Sequence, residues 1–244
     1  MSLALKLVLS PLLVAQAVGT RRRAPVLPEA EGPRCGAIGD GPPLRVLIVG
    51  DSSGAGVGVP SQDLALAGHL GRTLAGEGGV RVDWQLVAKS GITSAQALQL
   101  VQRERPRPAD VAVVVLGVND VIDQVPSRRA VQHRAALADW LRRESRVRHV
   151  VFAPLPPVHQ FPLLPQPLRW IMGRDAARHD RAMARWAATR ADVSHVPIAI
   201  SLDASCMASD GFHPGEPVYR ACGEALARHI VTTLLSTTNT ETPP

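Results

Sequence analysis

Four short stretches of this chain carry residue types that can act together on a carbonyl group. Gly50-Asp51-Ser52-Ser53-Gly54 offers hydroxyls in a glycine-rich turn, and Ser90-Gly91 offers a backbone N–H with no side chain to crowd it. Gly117-Val118-Asn119-Asp120 offers a carboxamide, and Asp210-Gly211-Phe212-His213-Pro214 an acid three residues before an imidazole. A serine hydroxyl is a poor nucleophile until a base takes its proton. His213 can take it, because an imidazole titrates near about 6.5 when unperturbed. Asp210 can reach the other ring nitrogen across a turn, fix the tautomer and stabilise the imidazolium. The oxyanion formed on attack needs donors, and the N–H of Ser52, the N–H of Gly91 and the amide of Asn119 are three candidates. The same glycine-rich turn could instead cradle a phosphate. However, no Lys-Ser/Thr follows its glycines, and Gly54, Gly56 and Gly58 alternate rather than forming G-x-G-x-x-G. A flavodoxin-like phosphate- or ligand-binding module stays as the alternative, and it gives His213 no part.

These residues must be delivered to one place. Apolar runs at 45–50, 80–87, 111–117, 148–153 and 193–198 read as five strands. Several are unbroken Val/Ile/Leu runs, as in sheets covered on both faces. Helical patterns fall between them at 62–75, 93–103, 127–143 and 168–190, and a last one lies at 217–235. Regular alternation of strand and helix predicts an α/β domain with a mainly parallel five-stranded sheet. Ligands of such sheets sit beyond the carboxyl ends of the strands. Each of the four stretches lies after a strand, so all four are expected at that edge.

The four stretches together resemble the blocks of the SGNH/GDSL hydrolases. Gly50-Asp51-Ser52-Ser53 is similar to the family's GDS(L/S) block, with Ser53 where many members carry Leu. Ser90-Gly91, Gly117-Val118-Asn119-Asp120 and Asp210-Gly211-Phe212-His213 are similar to the other three, in the family's order. The resemblance implies a three-layer αβα sandwich with flavodoxin-like strand order. It implies hydrolysis of esters or thioesters through an acyl-enzyme, with no metal or other cofactor. It places Ser52, not Ser53, as nucleophile, with Asp210 and His213 as its partners. Ser52, Gly91 and Asn119 would form the oxyanion hole. Asp51 and Asp120 are read as loop anchors, Asp120 also as a support for Asn119. The other seven histidines are read as surface or locally hydrogen-bonded.

The bulk of the chain narrows the partners. Of 244 residues 45% are hydrophobic, enough for a sizeable core, and only 3% are aromatic, which argues against base-stacking nucleic-acid platforms. The net charge is +6, with its densest cluster at Arg21, Arg22 and Arg23. Residues 1–23 join an apolar run to that cluster. Positive charge after the run favours an uncleaved membrane-associated helix with the body in the cytoplasm. An export signal and a helix packed on the body are the alternatives. Residues 24–43 read as a linker or an extended wrap, 44–236 as the catalytic domain and 237–244 as a flexible tail. The three cysteines form no framework, although Cys206 and Cys222 could pair in an exported chain. Residues 152–173 hold six prolines among apolar residues and are expected at the active edge, as a lid or acyl-chain wall or else as a packed crossover. A lipid-like acyl ester is the expected substrate, with an O-deacetylase of sugars or small molecules as the alternative.

Overall fold

The computed structural model describes residues 3–200 and 202–235, with side chains from residue 9 onward. The expected tail lies outside the described residues. The chain opens with helix α1, Leu3–Arg23, and an extended strap that ends in strand β1, Cys35–Ile38. Strand β2, Pro43–Gly50, follows, then α2, Leu66–Gly78, and β3, Arg81–Ala88. Next come α3, Ser94–Glu104, β4, Val111–Val115, the short α4, Val118–Ile122, and α5, Ser127–Glu144. Strand β5, His149–Phe152, leads through the Pro-rich stretch to α6, Leu168–Ala187, then β6, Val193–His195, and α7, Glu216–Ile230.

The sheet order is β1-β3-β2-β4-β5-β6, parallel except at β1, which runs antiparallel on β3. Without β1 this is the flavodoxin-like 2-1-3-4-5 order, whose switch point falls between β2 and β4. The sheet therefore has six strands where the sequence predicts five. The added one comes from the stretch read as a linker or wrap. Cys35–Ile38 is mostly exposed and lacks an apolar pattern, so nothing local marks it. It becomes a strand because the edge of β3 offers a ladder, with Cys35 opposite Gln85 and Ile38 opposite Val82.

Side-chain alternation divides the core into two layers. Val46 and Ile48 of β2 face α2 and α7, packing with Leu66, Leu70, Leu74, Leu226 and Ile230. Leu47 and Val49 face α3, α5 and α6, packing with Ala97, Val101, Leu137, Leu141 and Met183. All four strand residues are fully buried, each contributing about 1.5–3 kcal/mol. Helices on both faces make the three-layer αβα sandwich. A third apolar cluster sits beyond the strand ends. Leu155, Val158, Phe161, Leu164, Leu168 and Met172 from the Pro-rich stretch and α6 meet Leu202, Met207 and Val218 there. Most of the Pro-rich stretch is thus a packed crossover, and Pro156 and Phe161 also line the cleft described below.

Helix α2 starts at Leu66 rather than at residue 62. The buried Gln62 amide donates to Ala30 O and Ala55 O, 3.2 and 3.0 Å, which holds residues 51–65 as a compact turn rather than a helix. Helix α1 is docked by its side chains. Gln16 Nε2 donates to Gln166 O at 2.7 Å, Gln16 Oε1 accepts from Leu168 N–H, and Leu13 packs on the third cluster. Leu12, Val14 and Val18 face outward. Among the described residues no helix is long and apolar enough to cross a membrane. Cys35, Cys206 and Cys222 are free thiols, and burial pushes Cys222 up to about 12.

The turn after β2 depends on two glycines in backbone contact. A Cβ on Gly54 would lie 2.7 Å from Gly50 Cα. Gly54→Ala is therefore expected to cost about 1–3 kcal/mol in urea unfolding. Gly76→Ala, in α2 with open space around its Cβ, is expected to gain about 0.5–1 kcal/mol in the same assay.

Candidate active site

Strand β2 ends at Gly50, and the chain turns back at once, because Ala55 N–H donates to Asp51 O and Val57 N–H to Ser52 O. The turn leaves Ser52 half-buried at the strand's carboxyl end. The loop ahead of α7 meets it there. A Cβ on Gly58 would lie 2.3 Å from Pro214 O, so a glycine lets the two loops touch. Tyr219 of α7 clamps the same turn by donating to Val57 O at 2.7 Å.

This brings Ser52 and His213, distant in sequence, to 3.0 Å between Oγ and Nε2. His213 Nδ1 lies 2.5 Å from Asp210 Oδ2. Asp210 Oδ1 accepts from the N–H of Phe212 and of His213, both at 2.9 Å, which locks the acid–imidazole turn. Burial alone would raise the Asp210 pKa. The His213 bond and the two N–H donors outweigh it and hold the carboxyl below its ordinary value. Asp210 therefore stays anionic beside the ring.

The Gly91 loop and α4 close the other side. Gly91 has φ +79°, and a Cβ there would meet nothing within 4 Å, so its surroundings are open. The N–H groups of Ser52 and Gly91 have no acceptor among the described residues. Asn119, near the start of α4, gives its Nδ2 to Ile92 O at 3.0 Å and to Asp51 Oδ2 at 3.3 Å. The support for Asn119 is thus Asp51 and not Asp120. Asp120 instead anchors the start of α3, accepting from Ser94 Oγ at 2.5 Å and from Ser94 N–H. A Thr93–Gln96 capping box fixes the same helix start.

Sequence reading missed two residues. Glu29 accepts from Ser90 N–H and Ser90 Oγ, and Arg34 pairs with Glu29 and donates to Ala88 O. No local signal marks either, because their partners lie far along the chain. Of the other histidines, His195 is held by Asp180 at 2.8 Å and His149 by Ser194 at 2.7 Å. His69 and His179 are buried, and His69 is locally hydrogen-bonded, its Nδ1 3.1 Å from Arg72 Nη2.

Ser52, Asn119 and His213 open onto an apolar cleft lined by Pro156, Phe161, Leu202, Met207, Phe212 and Val218. Phe161 meets Phe212 edge to face, and Phe212 meets the His213 ring likewise, each pair with centroids 5.1 Å apart. A larger groove at the opposite sheet edge, with Arg45, Arg81 and Arg107, has no nucleophile paired to a base. Of these two recesses, the cleft is the one that sets a serine hydroxyl hydrogen-bonded to an imidazole beside apolar walls.

The model of the GDSL-like Lipase/Acylhydrolase family matches residues 48–221. A GDSL-like esterase of Mycobacterium tuberculosis is 28% identical over 195 residues, 75% of this chain. The match spans 60% of that relative's length. The crystal structure of the lipase Lip_vut3 from a goat rumen metagenome superposes with a TM-score of 0.64 at 16% identity, covering 79% of this chain and 99% of the lipase. A family 3 carbohydrate esterase of Clostridium thermocellum superposes with a TM-score of 0.61 at 16% identity, covering 80% and 98%. At these identities the two structures attest the fold.

Asp51 generates a pH effect on stability. Its burial raises the carboxyl to about 6, against the Ser53 N–H and the His213 charge, which lower it, and with Asp120, which raises it. The folded chain therefore binds more protons here than the unfolded chain between about pH 4 and 6, and this term weakens as pH rises through that window. The Asp51→Asn variant is expected to gain on wild type by about 3 kcal/mol between pH 4 and 7, read from urea unfolding at each pH.

Proposed function

The chain belongs to the GDSL-like lipase/acylhydrolase family, and on that premise we propose that it hydrolyses acyl esters or thioesters with Ser52 as nucleophile. The observation that carries the reading is the Ser52–His213–Asp210 chain, at 3.0 and 2.5 Å, at the mouth of the apolar cleft. His213 Nε2 takes the Ser52 proton as Oγ attacks the carbonyl carbon. Asp210 accepts the Nδ1–H and stabilises the imidazolium. The carbonyl π electrons move to oxygen, where the N–H of Ser52, the N–H of Gly91 and Asn119 Nδ2 receive the charge. Asn119 releases its longer bond, to Asp51, to do so. His213 then returns the proton to the departing alcohol or thiol, and the acyl-enzyme is cleared by water through the same base.

Phe161, Leu202, Met207 and Val218 give the cleft an apolar wall that suits the acyl chain of a lipid-like ester, and the ionisable groups of its lining are Asp51 and His213. We extend the proposal to location. Leu12, Val14 and Val18 of α1 are exposed, Trp170 is exposed two residues beyond the Leu168 that Gln16 holds, and Arg21, Arg22 and Arg23 end the helix. Apolar side chains, an interfacial Trp and cations together suit an anionic bilayer surface.

Ser52→Ala is expected to lower kcat on nitrophenyl esters by about 10⁴-fold or more. Persistent turnover would sink the mechanism. A chain-length profile peaking sharply at acetate would replace the lipid-like substrate with an acetyl ester. Vesicles rich in phosphatidylglycerol should sediment the wild type, whereas a Leu12→Ser, Val14→Ser, Val18→Ser triple variant should stay in the supernatant.

A further inference from the structure

The strap between α1 and β1 holds the Gly91 loop through a side chain that no motif marks. Glu29 Oε1 accepts from both the N–H and the hydroxyl of Ser90, each at 2.8 Å. Arg34 pairs with the other oxygen of Glu29 and donates through Nη1 to Ala88 O at 2.6 Å, at the end of β3. The ion pair thus straddles the loop entrance. On the exit side, Asn119 holds Ile92 O and Asp120 holds Ser94. Gly91 lies between the two anchors. The next residue of the strap is fastened to the nucleophile turn, since Ala30 N–H donates to Ala55 O at 3.1 Å and Gln62 bridges both carbonyls.

We infer that Glu29 is a positioning residue for the N–H of Gly91, acting through Ser90, in the ester hydrolysis proposed above, on which this inference rests. An oxyanion donor is worth most when it is aimed before the charge develops. The Gly91 N–H belongs to the Ser90–Gly91 peptide plane, and a glycine gives that plane unusual freedom. Glu29 removes the freedom from one side by fixing Ser90 at two atoms. Burial would raise the Glu29 pKa, but the Ser90 bonds and Arg34 hold it below the ordinary glutamate value, so the acceptor persists at neutral pH.

The test compares wild type, Glu29→Ala and Glu29→Gln in hydrolysis of 4-nitrophenyl butyrate and in phosphonylation of Ser52 by a fluorophosphonate, with a melting curve for each. Glu29→Ala is expected to lower kcat and the phosphonylation rate by about tenfold, with KM held within about twofold. Glu29→Gln, whose amide oxygen still accepts from Ser90, is expected within about threefold of wild type. Wild-type rates for Glu29→Ala overturn the inference, as does a loss confined to KM or an equal loss in both variants. Should Glu29→Ala not fold, Ser90→Ala removes the hydroxyl bond alone. It is expected to lose about threefold in kcat only, and an unchanged kcat overturns the inference. Absence of phosphonylation in wild type overturns the hydrolase reading as well, which separates the two failures.

Discussion

The arrangement depends on β2 being buried on both faces and stopping at Gly50. Val46, Leu47, Ile48 and Val49 are sealed between two helical layers, so the strand cannot slide or twist without exposing one core to relieve the other. The chain must turn at the sheet's carboxyl edge, and Gly50 against Gly54 is the contact that lets it turn within one residue. Because β3 and β4 flank β2 in parallel, their ends arrive at the same edge. The candidate site is the consequence of that shared level.

Charge is handled by local exchange. Asp51 and Asp120 are both buried among the site loops and both are engaged by donors, Asp51 by Ser53 N–H of its own turn and by Asn119, Asp120 by Ser94 of a neighbouring loop. The counterweight is Arg134 of α5, 1% exposed, whose Nε and Nη2 have no partner among the described residues. Burial presses its pKa down, while Asp120, Asp180 and Asp51 favour its charge. Such a group is expensive to bury alone and tolerable in the field of several carboxylates. Gly117, at φ +135°, leaves room for it, since a Cβ there would meet Leu155 at 2.9 Å and Arg134 at 3.3 Å.

The segment ahead of the sheet joins these parts. Its β1 covers the edge of β3, its Ala30 and Glu31 pair with the turn after β2, and its Glu29 and Arg34 span the Gly91 loop. Extended chain of this kind gains its order from the surfaces it crosses rather than from its own propensity. The Pro and Gly residues that made it read as a linker are the same ones that let it follow those surfaces.

The sequence by itself determined what is local or periodic. Unbroken apolar runs marked β2 and β4, 3.6-residue patterns marked α3 and α5, and the alternation of the two required a parallel sheet with the four motif stretches at one edge. The Asp210–His213 spacing was legible because a three-residue turn is a local object. Only the tertiary structure decided what depends on contacts between distant segments. Cys35–Ile38 is a strand because β3 has a free edge, Gln62 stays outside α2 because two carbonyls take its amide, and Asn119 rests on Asp51 rather than on its neighbour Asp120. Glu29 reaches Ser90 across the whole of β2, α2 and β3. No periodicity encodes such a pair, because its energy is realised only after the sheet has brought the two ends together.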